Sequence, residues 1–134
     1  MILVDSSAWI EFHRATGSPA DLRLTEALDG AEALATTGIM TLEIFAGARD
    51  EHHERELRRL LARCRFLPLV EPFDRETAAA LYRACRRLGT SIRRLPDCLI
   101  ATVAIRTRTE LLHCNSDFDA IARQSPLAIV PLAP

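Results

Sequence analysis

Lysine is missing from this chain: all 17 of its basic residues are arginine. That absence removes every mechanism that needs an amine nucleophile or a lysine on a phosphate. A surplus of either charge is missing too. The formal net charge of −1 offers no global attraction to nucleic acid, so any such contact must come from a local patch. Cysteine is present but unpaired in pattern. Cys64, Cys85, Cys98 and Cys114 are widely spaced, form no CxxC, and three of them sit in apolar segments. Neither a zinc site nor a disulfide framework is expected, and reduced thiols in a cytoplasmic protein fit better. Histidine offers no metal pair. His52 and His53 are adjacent, about 100° apart on a helix, while His13 and His113 lack partners at ligand spacing. All four histidines are therefore read as structural or exposed. The five glycines form no GxGxxG and no phosphate-binding loop. No apolar run reaches membrane-spanning length, and MILVD at the start lacks the basic-then-apolar pattern of a signal peptide.

What is present is a globular composition, 49% hydrophobic and 26% charged, over a length that suits one domain with one core. No repeat, low-complexity tract or linker divides residues 1–134, so a single domain is expected. Ile2-Leu3-Val4 reads as a strand buried on both faces. Asp5-Ser6-Ser7 then supplies capping chemistry for a helix over 8–14, and a second helix runs over 19–28. A strand over 33–37, a helix over 41–49 and an amphipathic helix over 51–64 follow. Residues 66–70 read as an edge strand because of Pro68. Helices over 74–88 and from Pro96, a strand at 110–113, a short helix over 117–123 and a last strand at 128–130 complete the chain. Strands alternating with helices indicate an α/β fold with a mostly parallel sheet.

Four acids stand apart from the solvated ones in DEHHERE. Asp5 follows the first apolar strand, Glu43 lies inside GIMTLEIFAGA, Asp97 heads the apolar helix of RRLPDCLIATVAI, and Asp117 follows the strand at Leu111-Leu112. Local explanations exist for each: Asp5 and Asp117 as helix caps, Asp97 as a complement to the helix dipole, Glu43 on a solvent-facing stripe. A glutamate on an apolar helix is the hardest to dismiss, because such a group is almost never buried without a partner. In a parallel α/β sheet the carboxyl ends of the strands form one rim, and ligands bind outside it. Asp5, Asp97 and Asp117 can share that rim. Carboxylates crowded in one pocket either take up protons or take up a cation. With oxygen ligands only, the favoured cation is hard, Mg²⁺ or Mn²⁺, and the chemistry it suits is hydrolysis at phosphorus. Receiver domains and aspartyl-phosphate phosphatases also have acidic pockets. Both depend on lysine, and the phosphatases on a second Asp where this chain has Ser7, so both are excluded.

The segments ILVDSSAWIEF, TLEIFAGA, IRRLPDCLIATVAI and LLHCNSDFDAIA, in that order, resemble a PIN-domain ribonuclease of the VapC toxin type found in bacterial toxin–antitoxin pairs. The resemblance spans essentially the whole chain. It implies a three-layer α/β/α sandwich around a short, mostly parallel sheet. It implies Asp5, Glu43, Asp97 and Asp117 as the catalytic acids that hold Mg²⁺, with Mn²⁺ as a substitute. Ser6 or Ser7 would contact a metal-bound water or phosphate. Asn115 stands where close relatives often have Asp, which makes the pocket one charge less negative. Arg93 matches a recurrent basic position, and Arg93 and Arg94 are candidate contacts to RNA phosphate; a solvated loop arginine is the competing reading. The arginines of 55–65 read better as a solvated face partnered by Glu54 and Glu56. The implied partners are an RNA substrate, a VapB-like antitoxin whose tail covers the pocket, and a second copy of the chain in a homodimer. Trp9 and Phe12 are candidate antitoxin contacts or ordinary core. The competing function is a catalytically weak PIN fold that acts as a binding module.

Overall fold

The computed structural model describes residues 1–134. It contains four strands and seven helices: β1 (Ile2–Val4), α1 (Ser6–His13), α2 (Pro19–Asp29), β2 (Leu34–Thr36), α3 (Gly38–Ala46), α4 (Glu51–Leu61), β3 (Arg65–Phe66), α5 (Phe73–Arg87), α6 (Leu95–Thr107), β4 (Glu110–Leu112) and α7 (Ser116–Arg123). All strand pairs are parallel, in the order β3-β2-β1-β4. Parallel crossovers are right-handed. The helices between β1 and β3 therefore cover one face, and α5–α6, returning from β3 to the far edge at β4, cover the other. This is the expected three-layer α/β/α sandwich.

β1 lies in the middle of the sheet and is apolar throughout because both faces are covered; Ile2, Leu3 and Val4 are all buried. In α6 every residue from Asp97 to Ala104 is buried, so its lack of amphipathicity reflects a helix enclosed on all sides. Thr102, the polar interruption in that run, donates its hydroxyl to the Cys98 carbonyl at 2.7 Å and so enters the core satisfied. In α4, Leu57 and Leu61 turn inward while the arginines face out, with Arg58 paired to Glu54. No helix is long and apolar enough to cross a membrane.

Three elements differ from the sequence reading. The strand expected over 66–70 is only Arg65–Phe66. Pro68 has no amide to continue the ladder, and the chain beyond it is held from the side instead. Arg106 donates to the Pro68 carbonyl at 2.8 Å, and the Val70 amide donates to the buried Asp74 carboxylate at 2.8 Å. Arg106 also pairs with Asp74 at 2.9 Å, which satisfies that acid. The last strand reduces to a single parallel bridge between Leu111 and Ile129. Helix α3 starts at Gly38 rather than Thr41: the Thr41 amide donates to the Thr37 carbonyl at 3.1 Å and closes an earlier turn, and the Thr41 hydroxyl donates to the Gly38 carbonyl at 2.9 Å.

Candidate active site

The carboxyl-end rim of β1 and β4 carries the site. Asp5 is the first residue after β1. Its amide donates to the Leu112 carbonyl of β4 at 2.9 Å, and its side chain caps α1 by accepting from the Ser7 amide at 3.0 Å. The Ser7 hydroxyl also donates to Asp5 Oδ2 and accepts from the Cys114 amide at 2.9 Å. Ser7 thereby ties the start of α1 to the loop between β4 and α7. From that loop Asn115 caps α7 through its Oδ1, which accepts from the Asp117 amide at 3.0 Å. The other end of the same amide donates from Nδ2 to Asp97 Oδ2 at 3.0 Å. One side chain thus fixes both a helix and a buried carboxylate.

Asp5 and Asp97 are 3% and 1% exposed, too little for water to solvate two anions. Burial, and then the charge of Asp5, push the Asp97 carboxyl up to about 6 from 3.8. Burial likewise raises Asp5, against the lowering effect of its Ser7 hydrogen bonds. Neither acid has an arginine bonded to it. Glu43, from the middle of α3, completes this wall. Its Oε2 accepts from the Ser6 hydroxyl at 3.1 Å and from Arg94 Nη2 at 2.8 Å, while Oε1 is buried with no hydrogen-bond partner. The neighbouring Leu42 is exposed, so α3 turns an acid inward and a leucine outward. That inversion disposes of the solvent-facing reading of Glu43.

Asp117 is placed differently. Its Oδ2 accepts from the Arg93 amide at 3.0 Å and its Oδ1 from Arg93 Nε at 3.3 Å. Both oxygens are engaged in holding the loop that enters α6. The Arg93 guanidinium is also bonded to the Ser116 hydroxyl at 3.1 Å. Arg93 and Arg94, expected on substrate, are in this conformation partners of the site's own acids. The four acids share one rim, but no three His, Cys, Asp or Glu side chains are gathered closely enough to cage an ion as they stand. The resemblance implies all four as one acidic pocket; in this conformation Arg94 covers one oxygen of Glu43 and Arg93 engages Asp117.

A cleft of about 370 Å³ opens in front of Asp5 and Glu43, with Ser6, Ser7, Arg94 and Asn115 at its inner end. It runs outward over Trp9, Ile10, Ile44 and Leu57 to His13, Arg14, Arg49 and His53. The inner end is therefore acidic, the floor apolar and the outer end cationic.

The PIN domain family profile matches residues 2–124. Ribonuclease VapC11 of Mycobacterium tuberculosis (strain H37Rv) is 41% identical over 124 residues, 92% of each chain. The chain belongs to the VapC family of PIN-domain proteins. Among solved structures, the toxin–antitoxin complex from Klebsiella pneumoniae matches this VapC-family chain with a TM-score of 0.69 and 25% identity, over 96% of this chain and 100% of that one. VapBC2 from Rickettsia felis, bound to a DNA fragment from its promoter, matches with a TM-score of 0.74 over 97% and 98% of the two chains; at 18% identity that likeness shows the fold alone.

The donor chemistry of this PIN domain suits a hard divalent ion. Every candidate ligand is an oxygen, two acids are buried without a cation bonded to them, and Glu43 Oε1 lacks any partner. Asp5, Asp97 and Glu43 are the residues that fit. Two features escaped the sequence. Of Ser6 and Ser7, either of which could contact a metal-bound water or phosphate, Ser7 has its hydroxyl engaged between Asp5 and the Cys114 amide, a link the sequence does not show. His13 and His53 had been set aside as structural or exposed, yet they line the cleft with ring centroids 5.6 Å apart. They lie on different helices, α1 and α4, so spacing along the chain carries no trace of their meeting. Burial and then the adjacent His53 lower the pKa of His13, which leaves that ring neutral at pH 7.

Proposed function

We propose that this chain is a metal-dependent endoribonuclease and the toxin of a VapBC-type pair. The observation that carries the reading is the buried Asp5–Asp97 pair at the rim, beside a Glu43 oxygen without a partner. Such a pair costs the fold stability, and a divalent cation would offset that cost with the oxygens already in place. Asp5, Asp97 and Glu43 would hold Mg²⁺ or Mn²⁺, which when bound polarises a phosphodiester and favours ionisation of an attacking water. The protein's own residues do the rest. Ser7 and Asn115 set the directions of the Asp5 and Asp97 carboxylates, and Ser6 sets that of Glu43. Asp117 holds the backbone of the 93–94 loop, from which both arginine side chains can reach an RNA phosphate.

The partners follow the same reading. The cleft suits the tail of a VapB-like antitoxin that places an arginine at the acidic inner end and apolar side chains on the floor. Solved relatives described as toxin–antitoxin complexes support it. A homodimer and a cytoplasmic location with reduced thiols complete it. A catalytically weak binding module is the second reading, favoured by the Arg94–Glu43 pair that fills part of the site.

The deciding experiment is cleavage of total RNA by purified wild type, Asp5→Asn and Asp97→Asn, with the cut ends mapped by sequencing. Wild type is expected to cut in Mg²⁺ or Mn²⁺ and to stop in EDTA, with each variant reduced at least about a hundredfold. Undiminished cutting by both variants would sink the site assignment. A wild type that binds RNA without cutting it would favour the binding module.

A further inference from the structure

Arg94 stands in an unusual place for a residue expected to bind substrate. Its Nη2 is 2.8 Å from Glu43 Oε2, and its positive charge also acts on Asp97 and Asp5. It is thus an arginine whose charge is felt by all three acids assigned above to the metal. Its backbone is fixed, because the Arg93 and Arg94 amides both point at Asp117 Oδ2, at 3.0 and 3.4 Å. Its side chain is not: it is 51% exposed, against 21% for Glu43. The guanidinium can therefore swing away by rotation about side-chain bonds while the loop stays in place. It also answers only one of the two Glu43 oxygens, leaving Oε1 buried and bare. A group built as a permanent ion pair would satisfy both, as Arg106 does for Asp74, where Nε meets Oδ1 at 3.0 Å and Nη2 meets Oδ2 at 2.9 Å.

We infer that Arg94 is an internal competitor for the metal site, displaced from Glu43 when the divalent ion enters and taken up by RNA phosphate, so that metal and RNA strengthen each other's binding. The inference rests on the metal-site reading above and adds to it a residue that sets how readily the site loads. The physical reasons act in one direction. While Arg94 stays on Glu43 it occupies a ligand oxygen, and its charge repels a second cation. A phosphodiester offers the guanidinium a fork-shaped partner of equal charge, which removes both obstacles. By linkage, an RNA that tightens metal binding must itself be bound more tightly in the presence of metal, by the same factor.

The test is Mn²⁺ titration by calorimetry on the full chain, alone and with a short 2′-O-methyl oligouridine, which binds without being cut. Wild type, Arg94→Gln, Arg94→Lys and Asp97→Asn are compared. Loss of an exposed pair and of its repulsion on the ion is expected to tighten Mn²⁺ binding by Arg94→Gln about three- to tenfold over wild type in the absence of RNA. Arg94→Lys keeps the charge and should stay near wild type. The oligonucleotide should tighten Mn²⁺ binding by wild type clearly more than by Arg94→Gln, which keeps only the direct contact between ion and phosphate. A merely structural arginine would act oppositely, since its loss would loosen the acids and weaken the site. Equal or weaker Mn²⁺ binding by Arg94→Gln, or an oligonucleotide effect undiminished by the substitution, overturns the inference. Asp97→Asn separates the two levels. If it loses Mn²⁺ while Arg94→Gln matches wild type, only the competitor role fails; if it binds Mn²⁺ like wild type, the metal site fails and the competitor with it.

Discussion

Asp97→Asn should make the metal-free protein more stable while ending its activity. In the folded state the Asp97 carboxyl is pushed up to about 6, against an ordinary value of 3.8, by burial and by the charge of Asp5. Between those two values the folded chain holds a proton that the unfolded chain releases, so stability falls as pH rises across that window and stays low above it. The full difference corresponds to about 3 kcal/mol at neutral pH. Asparagine removes the charge, keeps the shape, and retains an oxygen for the Asn115 amide that now donates at 3.0 Å. In EDTA at pH 8 the variant should therefore gain about 1–3 kcal/mol, since Asp5 shares the relief, or roughly 3–5 °C of melting temperature for each kcal/mol. Near pH 4 the gain should shrink towards zero, because wild-type Asp97 is by then protonated when folded. Urea denaturation of both proteins at several pH values measures this directly. A variant no more stable than wild type at pH 8, or equally favoured at pH 4 and pH 8, would refute the account of a repulsive pair held in readiness for a cation.

Two further outcomes follow from contacts around the rim. Ser7→Ala removes the hydroxyl shared by Asp5 and the Cys114 amide; it should cost about 1–2 kcal/mol in urea denaturation, and lower the RNA cleavage rate of fully folded protein as Asn115 loosens its hold on Asp97. Arg106→Ala strands Asp74, which is 2% exposed; about 2–4 kcal/mol should be lost at pH 7. Although burial works to raise it, Asp74 is held below its ordinary 3.8 by Arg106 and the Val70 amide, so the stability that pair contributes should fade as the pH drops below about 4 and the two proteins converge.

The parts of the fold that were legible in the sequence are those whose pattern reports burial directly. Ile2-Leu3-Val4 and the run after Asp97 are apolar on every side because nothing but protein surrounds them, and no partner choice enters that inference. The amphipathic period of α4 is equally local. What stayed hidden depends on meetings between distant residues. Arg94 and Glu43 are 51 positions apart, and neither type nor spacing shows that one would cover the other. The early end of β3 depends on Arg106 and Asp74, which hold the Pro68 segment from two other helices. Asn115 could be read as a loss of charge relative to relatives. That its amide would grip Asp97 and the α7 backbone at once is a matter of geometry alone.

The four acids also differ in how the fold tolerates them, and that difference explains where the arginine goes. Asp5 caps α1, while Asp97 and Asp117 lie in the first turns of α6 and α7. Each faces the positive end of a helix, where aligned amides offset part of the cost of a buried charge. Glu43 has no such support: it lies mid-helix in α3, beyond reach of that helix's free amides. It is the one acid of the Asp5–Asp97–Glu43 wall that needs a side-chain cation when no metal is bound, and it is the one on which Arg94 rests. The dipoles are built into the backbone and stay in place when metal arrives. The arginine side chain can leave. A site whose Asp5 and Asp97 are supported by helix ends and whose Glu43 is supported by an arginine would therefore fold without its ion and still take it up, with Glu43 as the ligand whose release would set the threshold.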